Sequence, residues 1–176
     1  MGKIVDGITL SSEEANLASK FCRRVYIYNL EEGLPEELIH NKYDAIICSH
    51  VLEHICWPEK LLSDVRNVLK SNGELIVALP NIMHYQSRFK LIRGIFEYSH
   101  SGVMDRTHFR WYTFSSGKKL LIQNNLLVRD AWVDVSLPFY TVTRFLPLVI
   151  QNSIKKILNK LSPGLFGGQL LYKAIA

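Results

Sequence analysis

The hexapeptide Ser49-His50-Val51-Leu52-Glu53-His54 puts two imidazoles and a carboxylate into one turn's length of chain. It follows an apolar run, so it stands where a strand ends and its polar groups can meet a ligand. A plainer reading has His and Glu capping the turn into a helix opened by Pro58. Residues 81–113 are a second polar stretch. There Arg88, Lys90, Arg93, Arg106 and Arg110 interleave with Phe89, Tyr98, Phe109 and Trp111. Such a mixture could hold an anionic or sugar substrate, or be a solvated face.

The elements that position these groups alternate. Residues 3–9 read as a strand, and Ser11 or Ser12 caps a helix over 12–20 with Glu13 and Glu14 in its first turn. A strand over 24–28 and a short helix over 35–40 follow. YDAIICS (43–49) is a continuous apolar run of the kind buried on both faces of a parallel sheet. Pro58 opens a helix through Lys70, which Asn72-Gly73 ends. Residues 74–80 form the next strand, and 81–113 are expected to be irregular. A helix over 114–124, a strand over 126–135, a helix from Pro147 to Leu161 and a strand over 168–175 complete the chain. This alternation predicts an α/β doubly wound sheet of about six strands. Ligands in such sheets lie beyond the carboxyl ends of the strands.

With 176 residues the chain is one domain, able to bury a core without disulfides. Three cysteines, Cys22, Cys48 and Cys56, show no paired spacing. That argues against a zinc ribbon or redox motif and for a reducing, cytoplasmic setting. The net charge of +5 is uneven: residues 1–134 carry 16 basic and 16 acidic groups, and no acid follows Asp134. Arg144, Lys155, Lys156, Lys160 and Lys173 make a local basic surface, which does not predict a nucleic-acid partner. On the 147–161 helix, Ile150, Ile154, Ile157, Leu158 and Leu161 keep helical spacing. The domain body is expected to cover most of this stripe, with peripheral contact to an anionic membrane as the alternative.

YDAIICSHVLEHICWPEKLLSDVRNVLKSNGELIVALPN resembles the second half of class I S-adenosylmethionine-dependent methyltransferases of the small-molecule type. Their pattern is an aspartate-led strand, VLEH, a proline-opened helix, LKpGG and a strand ending in PN; Asn72 here takes the proline's place. GITLSSEEANLA resembles that family's second strand and following helix. DRTHFRWYT (105–113) and LSPGLFGGQLLYKA resemble segments of bacterial members linked to surface-glycan synthesis. The resemblance covers nearly the whole chain. It implies a Rossmann-like sheet, mostly parallel with the last strand antiparallel.

In that family a first strand and a glycine-rich loop would precede residue 1, so the resemblance implies an N-terminally truncated domain. Gly164, Gly167 and Gly168 follow the wrong elements to replace the loop. Residues 3–9 and 43–49, which would flank the missing strand, are expected to be separated or repacked. A partner chain could supply the missing elements.

The implied activity is methyl transfer from S-adenosylmethionine to a small-molecule or glycan-precursor acceptor. A non-catalytic remnant or binding module is the alternative. The resemblance places Thr9, Asn29, Leu30, Ser49 and His50 at the cofactor and Glu53, Asn81, Arg106 and Arg110 at the substrate. His54 and His108 are the candidate bases; His108 could instead make a structural hydrogen bond inside a lid. Residues 82–113 would be that lid, and 145–176 the basic helix and last strand. His50-x-x-Glu53-His54 is similar to the ExxEH metal-ligand set of small-RNA 2′-O-methyltransferases, with His108 available as a further ligand. Most members bearing VLEH use no metal, so no metal is expected.

Overall fold

The computed structural model describes residues 2–135, 137 and 143–176. Six strands are present among them, in two sheets. β1 (Asp6–Thr9) and β2 (Arg24–Ile27) pair in parallel, Thr9 opposite Ile27. Between them α1 (Ser12–Ala18) starts at Ser11, whose hydroxyl accepts from the Glu14 amide at 3.3 Å. The second sheet contains β3 (Tyr43–Ser49), β4 (Leu69–Pro80), β5 (Leu127–Val135) and β6 (Gly167–Ile175), in the order β3-β4-β6-β5. β3 runs parallel to β4, and β6 lies antiparallel between β4 and β5. This is the expected α/β architecture with a reversed last strand.

β1 and β3 are not hydrogen-bonded as a ladder, and no other described strand pairs with the remaining edge of either. A thin link joins them at one end, where the Tyr43 hydroxyl donates to Asp6 Oδ2 at 3.3 Å. As an edge strand, β3 is not buried on both faces as its apolar run suggests. Cys48 is buried, whereas Ile47 is 68% exposed. The sequence pattern records a strand fit for burial, but no described element covers that side.

The core lies where α3 (Pro58–Val68) and α5 (Phe114–Gln123) meet the four-stranded sheet. Leu61, Leu62, Val65 and Val68 of α3 are buried, as are Leu75, Val77, Leu79, Leu121, Leu170 and Tyr172. Their spacing on α3 is that of one helical stripe. Tyr172 lies against Gly117, where a Cβ would stand 2.6 Å from its hydroxyl oxygen, and that hydroxyl donates to the Phe114 carbonyl at 2.9 Å. α3 ends at Val68, two residues earlier than its sequence suggests, because Leu69 is already extended and pairs with Tyr43. The ladder then skips from Tyr43↔Leu69 to Ala45↔Glu74, so Lys70–Gly73 form an irregular bend inside β4. Gly73 is required there: a Cβ would lie 2.8 Å from the Tyr43 carbonyl oxygen.

The stretch expected to be irregular contains a helix, α4 (Tyr85–Ile92), with no buried residue. A short α2 (Glu36–Ile39) precedes β3; α6 (Leu148–Leu161) and α7 (Pro163–Phe166) precede β6. The expected cover of the α6 stripe extends only to its inward side. Leu158 packs on the core and Ile154 is half-buried, while Ile150, Ile157 and Leu161 are exposed. No helix among the described residues is long and apolar enough to cross a membrane. Cys22, Cys48 and Cys56 are free thiols. Burial pushes the Cys48 thiol up to about 12, which makes it an inert core group.

Candidate functional site

Beyond Ser49 the chain turns sharply. His50 adopts a left-handed backbone, φ 54°, uncommon for a residue with a Cβ, and its amide donates to the Ala78 carbonyl at 3.0 Å. This bond keeps the turn against the end of β4. A single 3-10 turn, Leu52–His54, follows. Leu52 and Glu53 are fully buried and act as its anchors.

The loop through residues 99–113 is fastened onto that turn. The Phe109 and Arg110 amides donate to the Glu53 carbonyl at 2.9 and 3.2 Å. Arg110 Nε donates to the Cys56 carbonyl at 2.7 Å, and its guanidinium lies 5.5 Å from the Trp57 ring centre. The Tyr112 hydroxyl reaches the Leu52 carbonyl at 3.4 Å. Arg110, expected at the substrate, is thus engaged in holding the loop. Arg106 is exposed, and its guanidinium donates to His100 Nε2 at 3.2 Å.

This docking brings His108 onto His54, ring centres 4.7 Å apart in an edge-on arrangement. Backbone oxygens fix both rings. His108 Nδ1 faces the Val103 carbonyl at 3.1 Å, an oxygen that also accepts from Trp111 Nε1 at 3.0 Å. His54 Nδ1 faces the Thr107 carbonyl at 3.2 Å and its hydroxyl at 3.1 Å. A carbonyl can only accept, so both Nδ1 atoms carry the proton and both Nε2 atoms carry the lone pair of the neutral ring. The Thr107 hydroxyl in turn donates to Asp105 Oδ1 at 2.7 Å. Bonds from the Thr107 amide and hydroxyl hold the Asp105 carboxyl below its ordinary value, with His108 and His54 adding to the effect.

Glu53 completes the group. His50 Nδ1 meets its Oε1 at 3.0 Å, and Oε2 is buried without a partner. A ligand atom from each of Glu53, His54 and His108 lies within 4.8 Å of the other two. They line a cavity of about 360 Å³ with His50, Pro80 and Asp105, and Val103 and Gly168 also border it. The cavity lies beyond the carboxyl ends of β3 and β4, where open α/β sheets bind ligands.

The other expected site residues lie apart from this cavity. Thr9 hydrogen-bonds Glu14 and accepts from the Ser11 amide. Asn29 is exposed and caps the 3-10 turn Leu30–Glu32 through a 3.1 Å bond from the Glu31 amide. Leu30 packs on the core, and Ser49 is exposed. Asn81, expected at the substrate, is fully buried, and its polar atoms serve the backbone. Nδ2 donates to the Gly164 and Gly167 carbonyls at 2.9 and 2.7 Å, and Oδ1 accepts from Met83 N at 3.0 Å. Asp105 and Thr107, which orient His54, had no role assigned from sequence. Their signal was the motif DRTHFRWYT itself, where an Asp two residues before a Thr makes a local turn.

The methyltransferase-domain family model matches residues 7–127. Three solved structures are similar across 97–98% of the chain. A SAM-dependent methyltransferase from Archaeoglobus fulgidus is 18% identical with a TM-score of 0.57, and 85% of its own length is covered. The O-methyltransferase of a trans-AT PKS multienzyme from Brevibacillus brevis, in complex with S-adenosyl-L-homocysteine, is 15% identical with a TM-score of 0.54; the chain spans 58% of it. A putative methyltransferase in complex with the Haloferax volcanii Trm112 methyltransferase activator is 15% identical with a TM-score of 0.56, with 70% covered. At these identities the likeness is one of fold. No curated protein matches the sequence.

Proposed function

Because the chain belongs to the methyltransferase-domain family, we propose that its cavity is the acceptor chamber for methyl transfer from S-adenosylmethionine. The acceptor is an oxygen or nitrogen of a small molecule or glycan precursor. One observation carries this reading: two imidazoles and a buried carboxylate, with a ligand atom of each within 4.8 Å of the others, line a cavity at the strand ends. When bound, S-adenosylmethionine supplies a methyl group on a positively charged sulfur that departs with the bonding electron pair. The chain's own task is then to align the acceptor and remove its proton. Nε2 of His54 or His108 receives that proton, while the Nδ1 hydrogen bonds keep each ring in the accepting tautomer. His50 and Glu53 orient the acceptor.

The polar side chains at the ends of β1 and β2 suit the nucleoside half of the cofactor. Thr9 and Asn29 stand at neighbouring strand ends, with the Asn29 Oδ1 accepting from the Glu31 amide. The methionine half has less support: among the described residues no glycine-rich turn follows β1, β2 or β3. That observation, with the unpaired edges of β1 and β3, favours a second reading, a binding module completed by a partner chain. The three free thiols favour a reducing, cytoplasmic setting. The test is transfer of radiolabelled methyl from S-adenosylmethionine into pools of sugar nucleotides, polyols and amines. Label incorporated by the wild type and lost in His54→Ala supports the catalytic reading. No incorporation into any pool at millimolar cofactor overturns it.

A further inference from the structure

We propose that Glu53, His54 and His108 form a binding site for a divalent first-row transition cation. The inference rests on the acceptor cavity assigned above but not on the cofactor. Three independent features point to it. Both imidazoles direct Nδ1–H at backbone oxygens, of Thr107 and Val103, which leaves Nε2 as an oriented electron-pair donor. Histidines that ligate metals are held in this way, the second nitrogen bonded to a carbonyl or carboxylate. Glu53 is fully buried, yet Oε2 has no hydrogen-bond partner while Oε1 is held by His50. A buried carboxylate oxygen without a partner is costly, and a cation would satisfy it. A ligand atom of each of the three residues already lies within 4.8 Å of those of the other two. Metal–ligand bonds of about 2.0–2.2 Å set donors roughly 3–4 Å apart, so closure by about an ångström completes the site. His54 is only half-buried and can supply that movement.

The donor set decides the kind of cation. Two imidazole nitrogens and one carboxylate oxygen suit Zn²⁺, Co²⁺ or Fe²⁺, whereas Mg²⁺ and Ca²⁺ select oxygen. Three protein ligands leave positions open to the cavity, the arrangement of a catalytic rather than a structural site. A hydroxyl bound there is acidified by the cation, and its proton leaves to solvent. With the cation in place the two imidazoles are ligands and no longer bases. Asp105, hydrogen-bonded through Thr107 to His54, strengthens that ring as a donor.

The experiment is titration of the full chain with Co²⁺, without S-adenosylmethionine, followed by visible absorption and calorimetry. One equivalent is expected to bind with visible ligand-field bands, and Zn²⁺ but not Mg²⁺ displaces it. His54→Ala and His108→Ala are each expected to weaken binding by roughly 100-fold or more, beyond the loss seen for outer-shell partners. If the buried His108 site does not tolerate alanine, the half-exposed His54 variant decides alone. No bands and no heat at about 1 mM Co²⁺, or binding unchanged in the folded His54 variant, overturns the proposal. The outcome is separable from the functional reading. Methyl transfer by a chain that binds no cation keeps the base role and removes the metal site. Cation binding without methyl transfer does the reverse.

Discussion

The imidazole of His108 stands edge-on to that of His54, 4.7 Å between centres, and each ring is locked by a carbonyl from the same loop. The loop thus makes the pair and sets its tautomers in one step. If these rings serve the acceptor, their loss should act on turnover and leave cofactor affinity alone. His54→Ala and His108→Ala are expected to lower kcat by about 10²- to 10⁴-fold, the range for a general base. The dissociation constant for S-adenosylhomocysteine should change less than about twofold, since neither ring is at the ends of β1 or β2. Equal losses in both quantities would return the pair to a structural role.

Asn81 gives the opposite expectation. Its amide, itself fully buried, ties the end of β4 to the Gly164 and Gly167 carbonyls and accepts from Met83 N. Asn81→Ala strands those groups, at about 1–3 kcal/mol for each one left unsatisfied. A lower melting temperature is expected, together with weaker docking of the 163–168 segment. Unchanged stability would mean that water replaces the amide.

These two residues show what was legible in the sequence and what was not. The strand–helix alternation follows from local periodicity, so β1 to β6 could be read from apolar patterns. The turn at 49–54 was also legible, because polar groups crowded after an apolar strand have few other places to be. Asn81 stood in a plausible site position, and only the return of β6 across β4 shows that its partners are distant carbonyls. The exposure of Ile47 was hidden for a similar reason: periodicity reports fitness for burial, not whether a neighbour arrives. Helix α4 lacks a buried face, and without one its sequence carries no stripe to detect.

The facing edges of β1 and β3 bear on cofactor affinity. Glycines let backbone approach a bound ligand closely, and no glycine-rich turn follows either strand among the described residues. This 176-residue chain is therefore expected to bind S-adenosylmethionine weakly, with a dissociation constant of about 1 mM. Calorimetric titration of the isolated chain measures it directly. A micromolar value would show that other residues replace such a turn.

Asp6 predicts an acid-sensitive link between the two sheets. It accepts from Arg23 Nε at 2.9 Å and from the Tyr43 hydroxyl, and chiefly the Arg23 bond holds its carboxyl below the ordinary value. A depressed carboxyl contributes stability above its unfolded value, near 3.9, and loses it as pH falls toward the folded value. Arg23 is half exposed, so solvent screens the pair and the contribution is small. Arg23→Gln should therefore be slightly less stable than wild type at pH 6–8, and the difference should shrink as pH falls below the ordinary carboxyl range. Denaturation at stepped pH checks this; a difference independent of pH would remove the ion pair as its cause.

Helix α6 leaves an apolar surface open. Ile150, Ile157 and Leu161 face outward, and Phe145, Leu148 and Val149 extend the surface at its start; Leu161 is 74% exposed. Lys156 and Lys160 flank it, Arg144 stacks 4.7 Å from the Phe145 ring centre, and no acidic residue follows Asp134. Apolar groups beside unopposed cations fit an anionic lipid surface. Each cation near such a surface contributes about 1 kcal/mol, so three or four give reversible attachment that salt weakens. The chain is expected to float with phosphatidylserine vesicles at low salt and to be released at high salt. Lys156→Glu with Lys160→Glu should abolish flotation, and neutral vesicles should bind little. No binding at low salt would show that the open stripe of α6 awaits something other than lipid.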